Sequence, residues 1–390
     1  TPDTLFEGVE MLPPGHTVTI NEDGVDIRQY HEWTFDSSIR AQTREEQVKT
    51  IKSRVDEAVI KRLVADVPMG CFLSGGIDSS VTTAVAAQHL SEKLNTFSVV
   101  FDEAELSERP YIQKVVDRYE TNHYYLELSA QNFLDEIPNA LNAMDHPSGD
   151  GPNTYIISKA TKEAGITMAL SGLGGDEVFG GYPIFSQTPQ IMQKKWLLSF
   201  PKGIRKLMGK LGELKSGHSI SAQKKTEILI LDLFDVEYIY QYSRQILLDD
   251  TIKGLVTQPQ LPENKVLRYL NGIIGYGKPG FDFPVLSKVS IAEMLSYMQN
   301  TLLRDTDQMS MAHALEVRVP FLDHNLIHYV LQIQDHLKTG VYPKNLLVEA
   351  YKNELPREDY DREKMGFVLP YEQWMKHELR AFCVQNLKAL

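Results

Sequence analysis

Between residues 45 and 170, short apolar runs alternate with helix-length amphipathic stretches, and no other feature restricts the chain so tightly. Val48, Ile51, Val55, Val59 and Leu63 recur on one helical face, which predicts a helix over 45–64. Val67 to Leu73 is a short apolar run and reads as a buried strand. Further helices are expected over Ser79 to Leu90, 108–119, 131–143 and from about 152 to 164. Further strands are expected over Thr96 to Phe101, His123 to Leu128 and Ile166 to Leu170. Such alternation means parallel βαβ units, so the predicted class is α/β with a doubly wound parallel sheet. From about 185 the pattern becomes largely helical, with apolar-periodic stretches such as TEILILDLFDVEYIYQYSRQILL and SIAEMLSYMQNTLL.

Composition narrows the function classes. The 390 residues carry 40 Lys+Arg against 52 Asp+Glu, a formal net charge of −12, which disfavours nucleic acid as the main partner. Hydrophobic residues make up 42%, enough for a large core, yet no apolar run has the length of a membrane span, so no membrane partner is expected. Two cysteines, Cys71 and Cys383, cannot build a disulfide framework and suggest a reducing, cytoplasmic location. No signal peptide is recognisable. The stretch 194–218 is basic and reads as a solvated helical face ahead of the alternative, a membrane or nucleic-acid contact. Met294, Met298, Met309 and Met311 read as core filler. Near the start, Thr17 to Ile20 and Val25 to Ile27 flank a turn at 21–24 and predict a hairpin. An isolated hairpin is marginal in water, so Thr1 is expected to be a cut end with the parent sheet upstream.

The chemistry concentrates at two strand ends. The first strand runs into Leu73-Ser74-Gly75-Gly76-Ile77-Asp78-Ser79-Ser80 and then a helix. Small residues there let backbone N–H groups approach an anion, and the helix N-terminus adds positive potential. The hydroxyls of Ser74, Ser79 and Ser80 can donate to phosphate oxygens. No Lys occupies the Walker position, so this is not the usual P-loop. Asp78 beside a phosphate requires a divalent cation between the two negative charges. The fourth strand runs into Ser171-Gly172-Leu173-Gly174-Gly175-Asp176-Glu177-Val178-Phe179-Gly180-Gly181-Tyr182. Its glycines imply close approach of backbone to a ligand, and Asp176 is placed to share a metal with Asp78. The loop containing Asp145, His146 and Asp150 either reads a substrate or forms a capped approach to the next helix at Asn153. Arg318 and Asp323 are expected to pair and brace a loop.

SGGIDSS resembles the pyrophosphate loop of N-type ATP pyrophosphatases. With LSGLGGDEVFGGY, LEVRVPFLD (315–323) and REKMGF (362–367), the chain is similar to the synthetase domain of glutamine-hydrolysing asparagine synthetases. LFEGVEMLPPGH is similar to the end of that family's N-terminal glutaminase domain. The resemblance implies residues 1–33 as a remnant of that domain and linker, and 34–390 as the ATP pyrophosphatase/synthetase domain. It implies ATP as cosubstrate with Mg²⁺ and a carboxylate acceptor. It further implies ammonia from a glutaminase domain missing from the chain. An acyl adenylate would form, pyrophosphate would leave, and ammonia would take the acyl group, with aspartate as the default acceptor. By the same resemblance, Ser74, Gly75, Gly76, Asp78, Ser79 and Ser80 bind pyrophosphate; Leu73, Val99, Ser171 and Gly172 hold adenosine; Asp78 and Asp176 hold the metal. Lys364 matches the lysine that caps the phosphates. Lys344 is either a second phosphate contact or the start of a surface helix. Two positions depart from the family pattern: Leu173 stands where Glu is usual, and Gln308 where Arg or Lys is common. Those departures open a rival reading, amidation of another carboxylate such as a sugar acid. A tRNA-modifying pyrophosphatase is the reading from another class, against which the net charge counts. Homodimer formation is compatible with the sequence.

Overall fold

The computed structural model describes residues 4, 6–101, 108–145, 148–149, 151–217, 219–256, 261, 263–275, 282–362 and 371–388. β1 (His16–Asn21) and β2 (Gly24–Gln29) pair only with each other as an antiparallel hairpin. α1 (Arg44–Arg62) follows, then β3 (Met69–Phe72), α2 (Ile77–His89), β4 (Asn95–Phe101) and α3 (Arg109–Tyr119). Next come β5 (Asn122–Leu128), α4 (Ala130–Asn142), α5 (Gly151–Glu163) and β6 (Met168–Leu170). The predicted alternation is therefore realised element by element. α1 starts where Thr43 accepts the N–H of Glu46 and the Glu46 carboxylate accepts the N–H of Thr43, a reciprocal cap. It buries Ile51, Val55 and Val59.

The parallel sheet has the order β5-β4-β3-β6-β7, with β7 (Glu316–Arg318) added from far along the chain. The chain winds outward from β3 to β5, then returns to the other side of β3 with β6. The strand order thus reverses between β3 and β6, and open α/β sheets bind ligands beyond the carboxyl ends of strands at such a reversal.

The second half is helical, as expected. It contains α6 (Gly175–Phe179), α7 (Ile184–Met192), α8 (Lys202–Lys215), α9 (Ile220–Leu229), α10 (Val236–Arg244), α11 (Asp249–Leu255) and α12 (Lys265–Ile274). α13 (Val285–Glu293) runs through a π-helical stretch, Met294–Leu302, into α14 (Leu303–Met311). π-helical turns gather at functional sites, and this one brings Tyr297 and Leu302 to the main cavity. α15 (His324–Gln332), α16 (Asp335–Lys338) and α17 (Asn345–Tyr351) complete the elements needed here. The largest core joins α1 and α2 to the helical half through Ile51, Val59, Val81, Leu170, Ile291, Val330 and Leu347. Met294, Met298 and Met309 are buried, whereas Met311 is exposed.

Two expectations change. Arg318 and Asp323 do not pair. Arg318 binds Glu316 and the carbonyl oxygens of Arg62 and Val64, while Asp323 pairs with Arg62 at 3.1 Å and caps α15. Because β7 is a strand, both charges lie beside the end of α1 and lock it to the sheet. The first strand is also shorter than its apolar run, since Pro68 has no N–H for the ladder. Cys71 and Cys383 are free thiols. Among the described residues no helix is long and apolar enough to cross a membrane.

Candidate active site

A cavity of about 530 Å³ opens at the carboxyl ends of β3, β4 and β6. One wall is the loop after β3. There Gly75 takes φ +69, and a side chain at that position would crowd Tyr111 and Ile112. The Ser79 hydroxyl accepts from the N–H of Ser74 and donates to the carbonyl of Gly76, so the loop is tied in shape before any ligand arrives. α2 begins at Gly76 with no side-chain cap, which leaves its first-turn N–H groups facing the cavity mouth.

The loop after β6 forms the opposing wall, and its glycines are required by close approach. A Cβ on Gly172 would lie 2.8 Å from the backbone nitrogen of Ser79, and one on Gly175 would overlap the Asp78 carboxylate. Gly181 is equally constrained, by Asp176 and Lys344. The two acidic side chains thereby converge on one point, where the Lys344 ammonium bridges them. It pairs with Asp78 and lies 2.6 Å from Asp176. Burial alone would lower the Lys344 pKa, but the charges of Asp176 and Asp78 outweigh it and hold the ammonium above the ordinary lysine range. Lys344 is therefore buried and central, and it is not the start of a surface helix.

Of the sequence-predicted residues, Leu73, Ser74, Gly76, Asp78, Ser79, Val99, Ser171, Gly172, Leu173, Asp176 and Lys344 line this one cavity. Gly75 shapes the loop from behind. Ser80, in the first turn of α2, is fully buried, with its N–H in the helix ladder, and is not among the lining residues. Asp145 accepts from Gln308 at 3.0 Å and also stands off the lining. Lys364, His146 and Asp150 lie outside the described residues.

Sequence reasoning missed several lining groups. Glu177 is 1% exposed and accepts the Tyr182 hydroxyl at 2.8 Å; burial, with the neighbouring Asp176 charge, pushes its pKa up to about 7. Tyr182 and Tyr297 both lie against the Arg244 guanidinium, which binds Glu293 with two hydrogen bonds. Arg362 donates to the Gly75 carbonyl and to Glu108, each at 3.0 Å, and stacks on Tyr111. Its signal was available in REKMGF. Asn153, Thr154, Asp305 and Thr306 also line the cavity, as do Ser98 and Asp359, and Ser148 donates to Asp305. No sequence period announced these, because they come from three separate segments.

Oxygen donors suit a hard divalent cation. Mg²⁺ is commonly held by one or two protein carboxylates, with phosphate oxygens and water supplying the rest. Asp78 and Asp176 meet that requirement. Among the described residues no cluster of three or more His, Cys, Asp or Glu side chains offers a self-sufficient metal cage.

Comparison with known proteins agrees with this geometry. The asparagine synthase family model matches residues 50–390. Asparagine synthetase [glutamine-hydrolyzing] 1 of Bacillus subtilis is 28% identical over 391 residues, covering 99% of this chain and 59% of the relative. Asparagine synthetase [glutamine-hydrolyzing] 3 of the same organism is 29% identical, covering 94% and 55%. A putative asparagine synthetase of Methanocaldococcus jannaschii is 34% identical over 185 residues, 47% of this chain and 36% of the relative. The chain thus spans a little over half the length of the Bacillus relatives. With a reversed strand order, a glycine-lined cavity and a family match over most of its length, the chain belongs to the asparagine synthase family.

Proposed function

We propose that the chain is an ATP-dependent amide-forming ligase that adenylates a carboxylate, releases pyrophosphate and transfers the acyl group to ammonia. The observation that carries this reading is the convergence of Asp78, Asp176 and Lys344 above the uncapped start of α2. In this reading Ser74, Gly76, Ser79 and the first-turn N–H groups of α2 grip the pyrophosphate portion of ATP, with Gly75 setting the turn. Leu73, Val99 and the backbone of Ser171 and Gly172 hold adenosine. Asp78 and Asp176 hold Mg²⁺, which when bound would neutralise phosphate oxygens. Lys344 balances the charge that grows on the leaving pyrophosphate, and Lys364 is assigned the same task from its place in REKMGF alone. An acceptor carboxylate oxygen attacks the α-phosphorus, and the bond to the bridging oxygen breaks. Ammonia then attacks the acyl carbon and AMP departs.

Aspartate is the default acceptor, but the lining favours a different acid. Besides Lys344 and Arg362, both already engaged, no described Lys or Arg lines the cavity, whereas Asp305, Asn153, Thr154 and Thr306 do. Among the described residues of that wall, a second acceptor carboxylate would meet no further counter-charge. An acid bearing hydroxyl or amino groups suits that wall better. Leu173 also offers no group to take a proton from the ammonia adduct.

We further read residues 1–33 as part of a glutaminase unit and linker, and 34–390 as the ligase unit. The hairpin exposes Val18, Ile20, Val25 and Ile27, whereas Phe35 packs edge to face on Phe283 of the body. Relatives named glutamine-hydrolysing suggest a glutaminase as the ammonia source.

Incubation with ATP, Mg²⁺, ammonium and a panel of acids tests the reading. AMP and pyrophosphate are the expected products, and Lys344→Met should reduce pyrophosphate release by roughly 100-fold or more. ADP with phosphate as products would overturn it. Hydroxy or amino monocarboxylates should stimulate turnover more than aspartate.

A further inference from the structure

α8 is mounted with its apolar face outward. The side facing the body is made by Arg205, Gly209 and Glu213, spaced four residues apart. Arg205 donates to the carbonyl oxygens of Phe200, Leu229 and Leu231, and a Cβ on Gly209 would strike Thr226 of α9. The packing against α9 therefore uses a buried guanidinium and a glycine where a core-facing helix would use leucines. Ile204, Leu207, Met208, Leu211 and Leu214 are left in solvent, between 44% (Met208) and 64% (Leu214) exposed. At 100° per residue they form a stripe about 120° wide, centred about 160° from the inward residues. Trp196 and Phe200, packed edge to face just before the helix, are also exposed. Lys206, Lys210 and Lys215 are exposed along the same helix. Residues 194–217 hold seven Lys or Arg against one Glu, in a chain whose net charge is −12.

We propose that α8 and the Trp196–Phe200 turn form a docking surface for an anionic lipid bilayer, on which the helix lies flat with its apolar stripe in the headgroup boundary. The pattern is that of an interfacial helix: apolar and aromatic side chains on one face, Lys206 and Lys210 along one flank of it, and a length of about 21 Å that cannot span a bilayer. Charge complementarity selects the partner. Lys195 and Lys202 are paired with Asp235 and Asp232 and Arg205 is buried, so Lys206 and Lys210 on the exposed flank of α8 supply the local attraction, against a chain whose net charge of −12 works the other way, and they set the orientation of approach. A second copy fits less well, because a twofold pairing of the stripe would bring the flanking lysines of both chains together. No described helix is long and apolar enough to cross a bilayer, so the contact proposed is peripheral.

Co-sedimentation of the 390-residue chain with phosphatidylglycerol/phosphatidylcholine vesicles tests the proposal, with pure phosphatidylcholine vesicles as the comparison. Binding should appear on the anionic vesicles only and fall as salt rises. Leu207→Glu/Leu211→Glu and Lys206→Glu/Lys210→Glu should each weaken it by about tenfold or more, because each charge near the surface contributes appreciably. All four side chains point into solvent, so circular dichroism and pyrophosphate release should match the parent chain. Absence of vesicle binding, or unchanged binding by both variants, overturns the proposal. So does a dimer in sedimentation velocity that Leu207→Glu/Leu211→Glu dissociates, since that outcome assigns the stripe to a second copy.

Discussion

Lys344 holds φ +53, a left-handed backbone that a residue with a side chain adopts at some cost. Two carboxylates at its tip compensate, which is why a residue that reads as ordinary in Pro-Lys-Asn becomes central once folded. Asp359 makes the opposite case. It is 3% exposed near the loop after β3, and burial drives its pKa up to about 7 despite the Ser80 hydroxyl and the Arg362 charge. Below about pH 4 it is neutral folded or unfolded; above about 7 the folded protein must carry the charge in a dry site. The raised folded value therefore means stability is lost as pH rises through that window, by on the order of 4 kcal/mol from this group. Asp359→Asn should remove the loss, so that urea midpoints of the variant and the parent diverge between pH 4 and 8 in the variant's favour. Parallel pH curves would show that the site is wetter than its burial implies. Neither residue's state was legible in the sequence, since Lys344 depends on Asp78 and Asp176 and Asp359 on Ser80, each distant along the chain.

At the scale of elements, the two strand-end loops were legible because their chemistry is local. Small residues after an apolar strand and before a helix can only serve close approach, and both loops do so. Their mutual fit was not legible. Gly175 has an ordinary helical role at the start of α6, yet it must be glycine because the Asp78 carboxylate, from another loop, occupies the space of a Cβ. Gly175→Ala should push the two carboxylates apart and lower pyrophosphate release by roughly 100-fold, with helix content unchanged by circular dichroism. Retained activity would mean that the carboxylates need not converge. β7 was missed for a related reason: three residues give too short a period to detect, and only pairing with β6 makes them a strand.

Across the molecule, the helical half is joined to the site through charge. Arg244 of α10 pairs with fully buried Glu293 of α13 and also supports Tyr182 and Tyr297 at the cavity. Arg244→Leu leaves a buried carboxylate without its partner and should cost about 3–5 kcal/mol in urea unfolding. Arg244→Leu/Glu293→Leu should recover most of that, because the pair as a whole is close to neutral against an apolar replacement. Equal losses in the single and double variants would show that the arginine acts by packing alone.

The amino-acid sequence by itself determined the α/β winding, the helical second half and the two cavity-lining loops with their acidic residues, because each is written in residues that are neighbours along the chain. Tertiary structure alone decided that Lys344 bridges those acids, that Arg362 and Tyr182 complete the walls, that Ser80 turns away, and that the apolar stripe of α8 faces outward. Those outcomes depend on which faces meet after packing. An apolar period tells that a helix has two sides without telling which side the rest of the molecule will take.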